Sequence, residues 1–226
     1  MKKLVTLLLI VFTAFAATST TITNAYKSKA TIQRVNLPLG TSGIVIHDYD
    51  SMHSSIVARA ILVAPDTIKF EVFDALAQEA LPTPLTKPQT GDRVILGYLY
   101  DRATIIAPNL KSYQEVANQV DEKIIHPDLF ATELSKAKDP APDYNDFKNF
   151  CNKFALAKLY IVQKNQTDIV DCYSFKKIGT LPMRAEGKNV KLPFYNRLKK
   201  IQTSLFDFFG GSEIQNYFDY YKKLER

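Results

Sequence analysis

Three histidines, two cysteines and their acidic neighbours supply most of the side chains in this chain that are equipped for chemistry. His47 and His53 flank an acidic turn, Asp48-Tyr49-Asp50, and His126 opens the run His126-Pro127-Asp128. Imidazoles and carboxylates together are metal donors. The spacing here matches no zinc pattern, and His47 and His53 fall at opposite ends of a hairpin turn. They read as surface turn residues. His126 stands before proline and reads as a helix-entry residue that satisfies backbone groups. A cysteine nucleophile needs a base that lowers the thiol pKa, and Cys172 follows Asp171 with no histidine near it in sequence. Ser54 and Ser55 follow His53, yet there is no Gly-x-Ser-x-Gly elbow and no phosphate-binding glycine loop in a chain with only 8 glycines. The expectation is a protein without catalytic residues, metal or cofactor.

A second set of residues has the chemistry of contact. Tyr217, Phe218, Tyr220, Tyr221, Lys222, Lys223, Glu225 and Arg226 crowd the end of the chain. Most of the rings fall at helical core spacing. Tyr220 lies off that stripe, on the side of Lys223, and a partly exposed tyrosine beside lysine is an interface composition. Arg197, Lys199 and Lys200 form another basic patch. Arg197, Lys200, Tyr220, Lys222 and Lys223 are therefore the candidate partner-binding residues.

These residues depend on two kinds of scaffold. From Thr31 to Asn109 the pattern is β. Thr31 to Val35 alternates, Gly43 to His47 is strongly β-forming, and Ser55 to Ala64 is a longer apolar strand. Pro65-Asp66 turns the chain into Thr67 to Phe73, where Ile68, Phe70 and Val72 share a face. Val94 to Leu99 and Ala103 to Ala107 complete about six short strands, the spacing of a small barrel-like module. Closure removes exposed strand edges. The prolines between Leu81 and Pro88 mark an extended loop.

The pattern changes after Pro108-Asn109. Tyr113, Val116, Ala117 and Val120 are helically spaced. Pro127 suits the first turn of a helix through Lys136. Asp143 caps another, with Tyr144, Phe147, Cys151 and Phe154 on one face. Leu156 to Val162 and Asp168 to Phe175 read as strands joined by a hairpin turn at Lys164 to Thr167. After a polar loop, two amphipathic helices end the chain. Phe194, Leu198, Ile201, Leu205 and Phe208 line the first. Ser212 caps the second, which carries Ile214, Tyr217, Phe218, Tyr221 and Leu224. The predicted fold is α+β: a barrel-like module over residues 26–109, then an α/β part over 110–226.

The start of the chain points to export. Lys2 and Lys3 precede an apolar run from Leu4 to Ala17, too short for a membrane span of roughly 20 residues. Small residues suited to a signal peptidase follow at Ala14-Phe15-Ala16 and at Thr23-Asn24-Ala25, so residues 1–25 are assigned as leader. Lys2 and Lys3 carry two units of the net charge of +6, and the remaining charge is a mild, spread excess of base. An exported protein has no ATP or NAD pool to use and nucleic acid is not its target. No transmembrane segment is expected in the mature chain. Cys151 and Cys172 are an even pair, which in an exported chain points to a disulfide worth about 3 kcal/mol. The alternative is two buried thiols.

Ordered phrases along the chain carry a resemblance: Ser42 to His47, Ala80-Leu81-Pro82, Gly91 to Leu96, Leu99-Tyr100, Ile106 to Asn109, His126 to Phe130, Phe150-Cys151 and Val170-Asp171-Cys172. Together they resemble the N-terminal domain of the plasminogen-binding protein family of spiral, flagellated epsilon-branch bacteria, over roughly Thr31 to Leu224. The resemblance implies an envelope or surface protein without enzymatic activity. It implies plasminogen as a partner, whose kringles bind lysine side chains, and a lysine-rich region beyond this domain. Since the sequence stops soon after the domain, the leading expectation is a periplasmic, non-enzymatic interaction module. It would dock to other envelope proteins, as a scaffold component such as the periplasmic structures of the flagellar motor. The alternative is a surface-exposed plasminogen-binding adhesin.

Overall fold

The computed structural model describes residues 17–75, 85–186, 189–202 and 214–224. The first strand, β1 (Thr18–Ala25), follows the apolar run of the sequence directly and alternates Thr20 and Ile22 inward. It is followed by β2 (Lys29–Ile32), β3 (Ser42–Asp48), β4 (Ser54–Ala64), β5 (Thr67–Glu71) and β6 (Arg93–Leu96). These six close into a barrel in the order β1-β2-β5-β4-β3-β6, with β1 antiparallel to both β2 and β6. Ile22, Ile32, Val45, Ala58, Ala60, Leu62, Ile68, Val94 and Leu96 fill the interior. Small alanines on β4 sit among larger aliphatics, a mixture of sizes that suits a narrow lumen. At Gly43 a Cβ would lie 2.2 Å from the Ile95 carbonyl oxygen, so β3 and β6 approach as they do only because position 43 has no side chain.

The second unit is a five-stranded sheet in the order β11-β10-β9-β7-β8. Its members are β7 (Arg102–Ile106), β8 (Lys123–Ile125), β9 (Lys158–Val162), β10 (Thr167–Asp171) and β11 (Lys177–Leu181). β7 runs parallel to β8 and β9, and β10 runs antiparallel to both β9 and β11. Every residue of β9 and β10 is buried. Among the described residues four helices accompany the sheet: α1 (Leu110–Ala117), α2 (Pro127–Ala137), α3 (Tyr144–Phe154) and α4 (Tyr217–Leu224). α2 starts with Pro127 in its first turn and His126 as cap, as the sequence predicts. α3 has the full reciprocal cap of Asp143 with Asp146 and ends on Ala155 in the left-handed region.

β1 falls among residues 1–25, which the sequence assigned as leader, and it pairs with both β2 and β6 in the barrel. Two other expectations are corrected by these elements. β7, taken as a barrel strand, lies between β9 and β8 in the second sheet, and the last barrel strand ends at Leu96 rather than Asn109. The helix expected from Phe194 is not formed over 194–202, and its remaining positions, Leu205 and Phe208, lie outside the described residues. Its backbone groups are taken elsewhere. The N–H of Tyr195 donates to Ala107 O at 2.7 Å, that of Arg197 to Asp128 Oδ1 at 2.7 Å, and that of Gln202 to Ser135 Oγ at 3.0 Å. Phe194 stacks on Phe130 at 5.4 Å between centroids, so core burial holds the segment in an irregular path. The final helix begins at Tyr217, where Asn216 Oδ1 accepts from the N–H groups of Phe218 and Asp219. Ser212 lies outside the described residues.

The barrel and the sheet are joined by buried polar contacts. Asp171, at the end of β10, is fully buried and reaches Ser42 on β3. Arg59 on β4 is 2 % exposed and stands 3.3 Å from the centroid of the Tyr173 ring. Its Nη2 donates to Asn152 Oδ1 on α3 at 3.0 Å. Ile61, two residues along β4, belongs to the core of the second unit rather than to the lumen. The outward face of β4 is thus the seam between the two units, and period-two alternation on one strand serves two cores.

Candidate functional site

The residues singled out for chemistry are each engaged separately. His47 Nδ1 lies 2.7 Å from Asp92 Oδ1, and His53 Nδ1 lies 2.8 Å from Asp50 Oδ2 at the hairpin tip. His126 Nδ1 accepts from the Asp128 N–H at 3.2 Å, which is the helix-entry role read from the sequence. Burial lowers the His126 pKa, against the pull of Asp128. Among the described residues no group of three or more His, Cys, Asp or Glu side chains is placed to hold a metal. Cys151 and Cys172 form a disulfide with a Cα–Cα distance of 6.2 Å. It ties α3 to the residue that follows β10.

The contact residues are spread over two neighbouring elements. α4 is anchored by its inner face: the Tyr217 hydroxyl donates to Ile106 O at 2.8 Å and the Tyr221 hydroxyl to Pro193 O at 3.0 Å. Both rings are buried, and burial first, then the neighbouring tyrosines, holds the Tyr221 hydroxyl well above its ordinary range. That pose leaves Lys222 and Lys223 exposed in the last turn. Tyr220 is half-buried, and its hydroxyl donates to Pro142 O at 3.1 Å. Burial, with Asp139, Asp143 and Asp146 nearby, pushes its pKa up to about 12. Lys164 Nζ, from the β9–β10 turn, sits 5.3 Å from the Phe218 centroid and extends the basic face of α4.

Arg197 belongs to a different neighbourhood. Its Nε donates to Asp128 Oδ2 at 2.6 Å, so its charge is already met by a carboxylate. Lys200 is exposed at the mouth of a cleft that also includes Lys191, Asn196 and Lys199. The sequence patterns pointed to Lys200 but not to Asn196, because a buried asparagine in an irregular segment has no sequence signature.

The geometry so far is that of a rigid scaffold with exposed lysines, and comparison with known sequences gives it a family. Residues 17–224 match the family described as "Plasminogen-binding protein pgbA N-terminal". The chain belongs to this family. It is 31% identical over 195 residues to the plasminogen-binding protein PgbA of Helicobacter pylori strain J99 / ATCC 700824, covering 84% of this chain and 43% of that protein. The same protein of strain ATCC 700392 / 26695 is 31% identical over 195 residues, with 84% and 42% covered. The chain thus spans less than half the length of these relatives. No solved structure matches it. The matched region starts at residue 17, immediately before β1, so the family's domain includes the strand that closes the barrel. Among the described residues no helix is long and apolar enough to cross a membrane.

Proposed function

We propose that this chain is a non-catalytic binding module that works outside the cytoplasm and captures plasminogen through lysine side chains. The observation that carries the reading is the pose of α4. Two buried tyrosine hydroxyls bonded to backbone carbonyls fix the helix, and Lys222 and Lys223 project from it into solvent. A fixed platform lowers the ordering cost of presenting a flexible ammonium to a lysine-binding kringle. The names of the two relatives support the choice of partner. The leader-like residues 2–17 and the Cys151–Cys172 disulfide support export, since disulfides persist in oxidising compartments. Tyr220 lies on the same helix, half-buried, while Lys200 belongs to a separate cleft and the Arg197 charge is committed to Asp128.

The test is charge reversal on α4. Lys222→Glu with Lys223→Glu should abolish most of the plasminogen captured by the immobilised chain and leave the thermal unfolding midpoint in place. Unchanged capture would remove these lysines from the site. Crosslinking in native cells that recovers envelope-assembly components, with no plasminogen binding in parallel, would replace this reading with a periplasmic scaffold role.

A further inference from the structure

The irregular segment after residue 189 borders a cleft of about 240 Å³. This is smaller than the roughly 300–1,000 Å³ that encloses a drug-sized ligand. Its walls are partly apolar, with Leu192, Ile201 and Ile214 among them, and among the described residues no aspartate or glutamate lines it. Lys191 lies in the wall, half-buried, with Nζ donating to Asn196 O at 2.6 Å and Leu198 O at 2.7 Å. Those carbonyls satisfy two of its three hydrogens but do not neutralise its charge. Lys199 and Lys200 add two exposed ammonium groups at the rim.

Asn196 supplies the second observation. It is 3 % exposed, lines the cleft, and its Oδ1 has no hydrogen-bond partner. Its Nδ2 donates to Phe194 O at 2.8 Å, which fixes the amide so that the unpartnered atom is an acceptor. A buried acceptor without a donor is costly and rare in a folded protein. The cleft therefore asks for three things at once: a negative charge beside the lysines, a hydrogen-bond donor beside Asn196, and an apolar group against Leu192, Ile201 and Ile214.

We infer that this cleft binds the free carboxyl terminus of a polypeptide ending in an apolar residue. The terminal carboxylate meets Lys191, Lys199 and Lys200, a backbone N–H of the peptide donates to Asn196 Oδ1, and the last side chain fills the apolar wall. The three groups are adjacent in any peptide end, and a simple anion offers only the first. The inference stands apart from plasminogen capture, because neither Lys222 nor Lys223 lines the cleft.

The experiment uses the full exported chain and calorimetric titration with acetyl-alanyl-leucine, its carboxamide, and inorganic phosphate. The free acid should bind saturably, and the carboxamide about tenfold more weakly, because it lacks the charge-assisted contacts. Lys199→Ala with Lys200→Ala, both exposed, should weaken the acid several-fold and leave folding intact. Lys191→Met should weaken it further. Equal binding of acid and carboxamide, no binding of either, or displacement of the peptide by phosphate at equal concentration would each overturn the proposal.

Discussion

Asp171 Oδ2 accepts both the Ser42 N–H, at 3.1 Å, and the Ser42 hydroxyl, at 2.5 Å, across 129 positions of sequence. The same oxygen accepts the Tyr100 hydroxyl at 2.8 Å, and Oδ1 accepts the N–H groups of Tyr173 and Ser174. One buried carboxylate thus holds the barrel, the start of the second sheet and the turn after β10. Burial, followed by the charge of Asp171, keeps the Tyr100 hydroxyl well above its ordinary range, so it remains a donor.

Removing that carboxylate strands several buried donors. Asp171→Ala should cost about 3–4 kcal/mol, because each unsatisfied buried donor carries a penalty of roughly 1–3 kcal/mol and relaxation recovers part of it. Urea unfolding followed by circular dichroism gives the value. A loss below 1 kcal/mol would mean that the junction is held by packing alone.

Barrel closure depends on β1. A chain starting at Tyr26 lacks the strand that pairs with both β2 and β6, and should fail to fold or should aggregate through the open edges. A chain starting at Thr18 should give dispersed amide resonances. Barrel closure likewise favours the earlier of the two small-residue sites, which leaves β1 in the mature chain. Intact mass of the exported protein should place the mature end near Ala16, and a mature end at Tyr26 would contradict it.

The disulfide closes a loop between positions 21 apart. Its replacement by Cys151→Ala with Cys172→Ala should lower stability by about 3 kcal/mol. Both residues are fully buried, so reduction of the folded wild-type protein should need denaturant. Ready reduction by mild thiols in the native state would argue that the helix–strand staple opens in solution.

Acid sensitivity should be visible at Glu122. Burial raises its pKa, but the Lys158 ammonium and the Tyr160 hydroxyl more than offset this, and the net direction is below the ordinary 4.5. A depressed carboxylate contributes stability that is complete above 4.5 and is lost as pH falls through the lower folded-state value. Glu122→Gln takes the carboxylate from Lys158, which is 2 % exposed, and should cost about 2–3 kcal/mol at neutral pH. The gap between wild type and variant should hold constant down to pH 5 and narrow below it. A gap independent of pH would assign the loss to packing.

Much of the fold is legible in the residues. The β-forming run Ile44-Val45-Ile46 and the alternation at Ile68-Lys69-Phe70 mark barrel strands, Asp143 and Pro127 mark helix starts, and the cysteine count predicts the staple. What was missed has a physical cause in each case. β1 is a threonine-rich strand beside an apolar run, and Thr23-Asn24-Ala25 are its last positions. β7 is a short apolar strand, and strand pattern names no sheet partner. Phe194, Leu198 and Ile201 have helical spacing, but side-chain and backbone acceptors on other elements outcompete the helix. Of the contact set, Lys222 and Lys223 are exposed, and the ion pair of Arg197 with Asp128 depends on a long-range approach that no local pattern encodes.

The central claim is that this domain alone, less than half the length of its relatives, captures plasminogen through lysine. Surface plasmon resonance of purified plasminogen over the immobilised chain, with and without a free lysine analogue, tests it most directly. The account predicts saturable binding that the analogue displaces and that reversal of Lys222 and Lys223 removes. Absence of binding to the folded, disulfide-intact chain, or binding that the analogue leaves untouched, would contradict it.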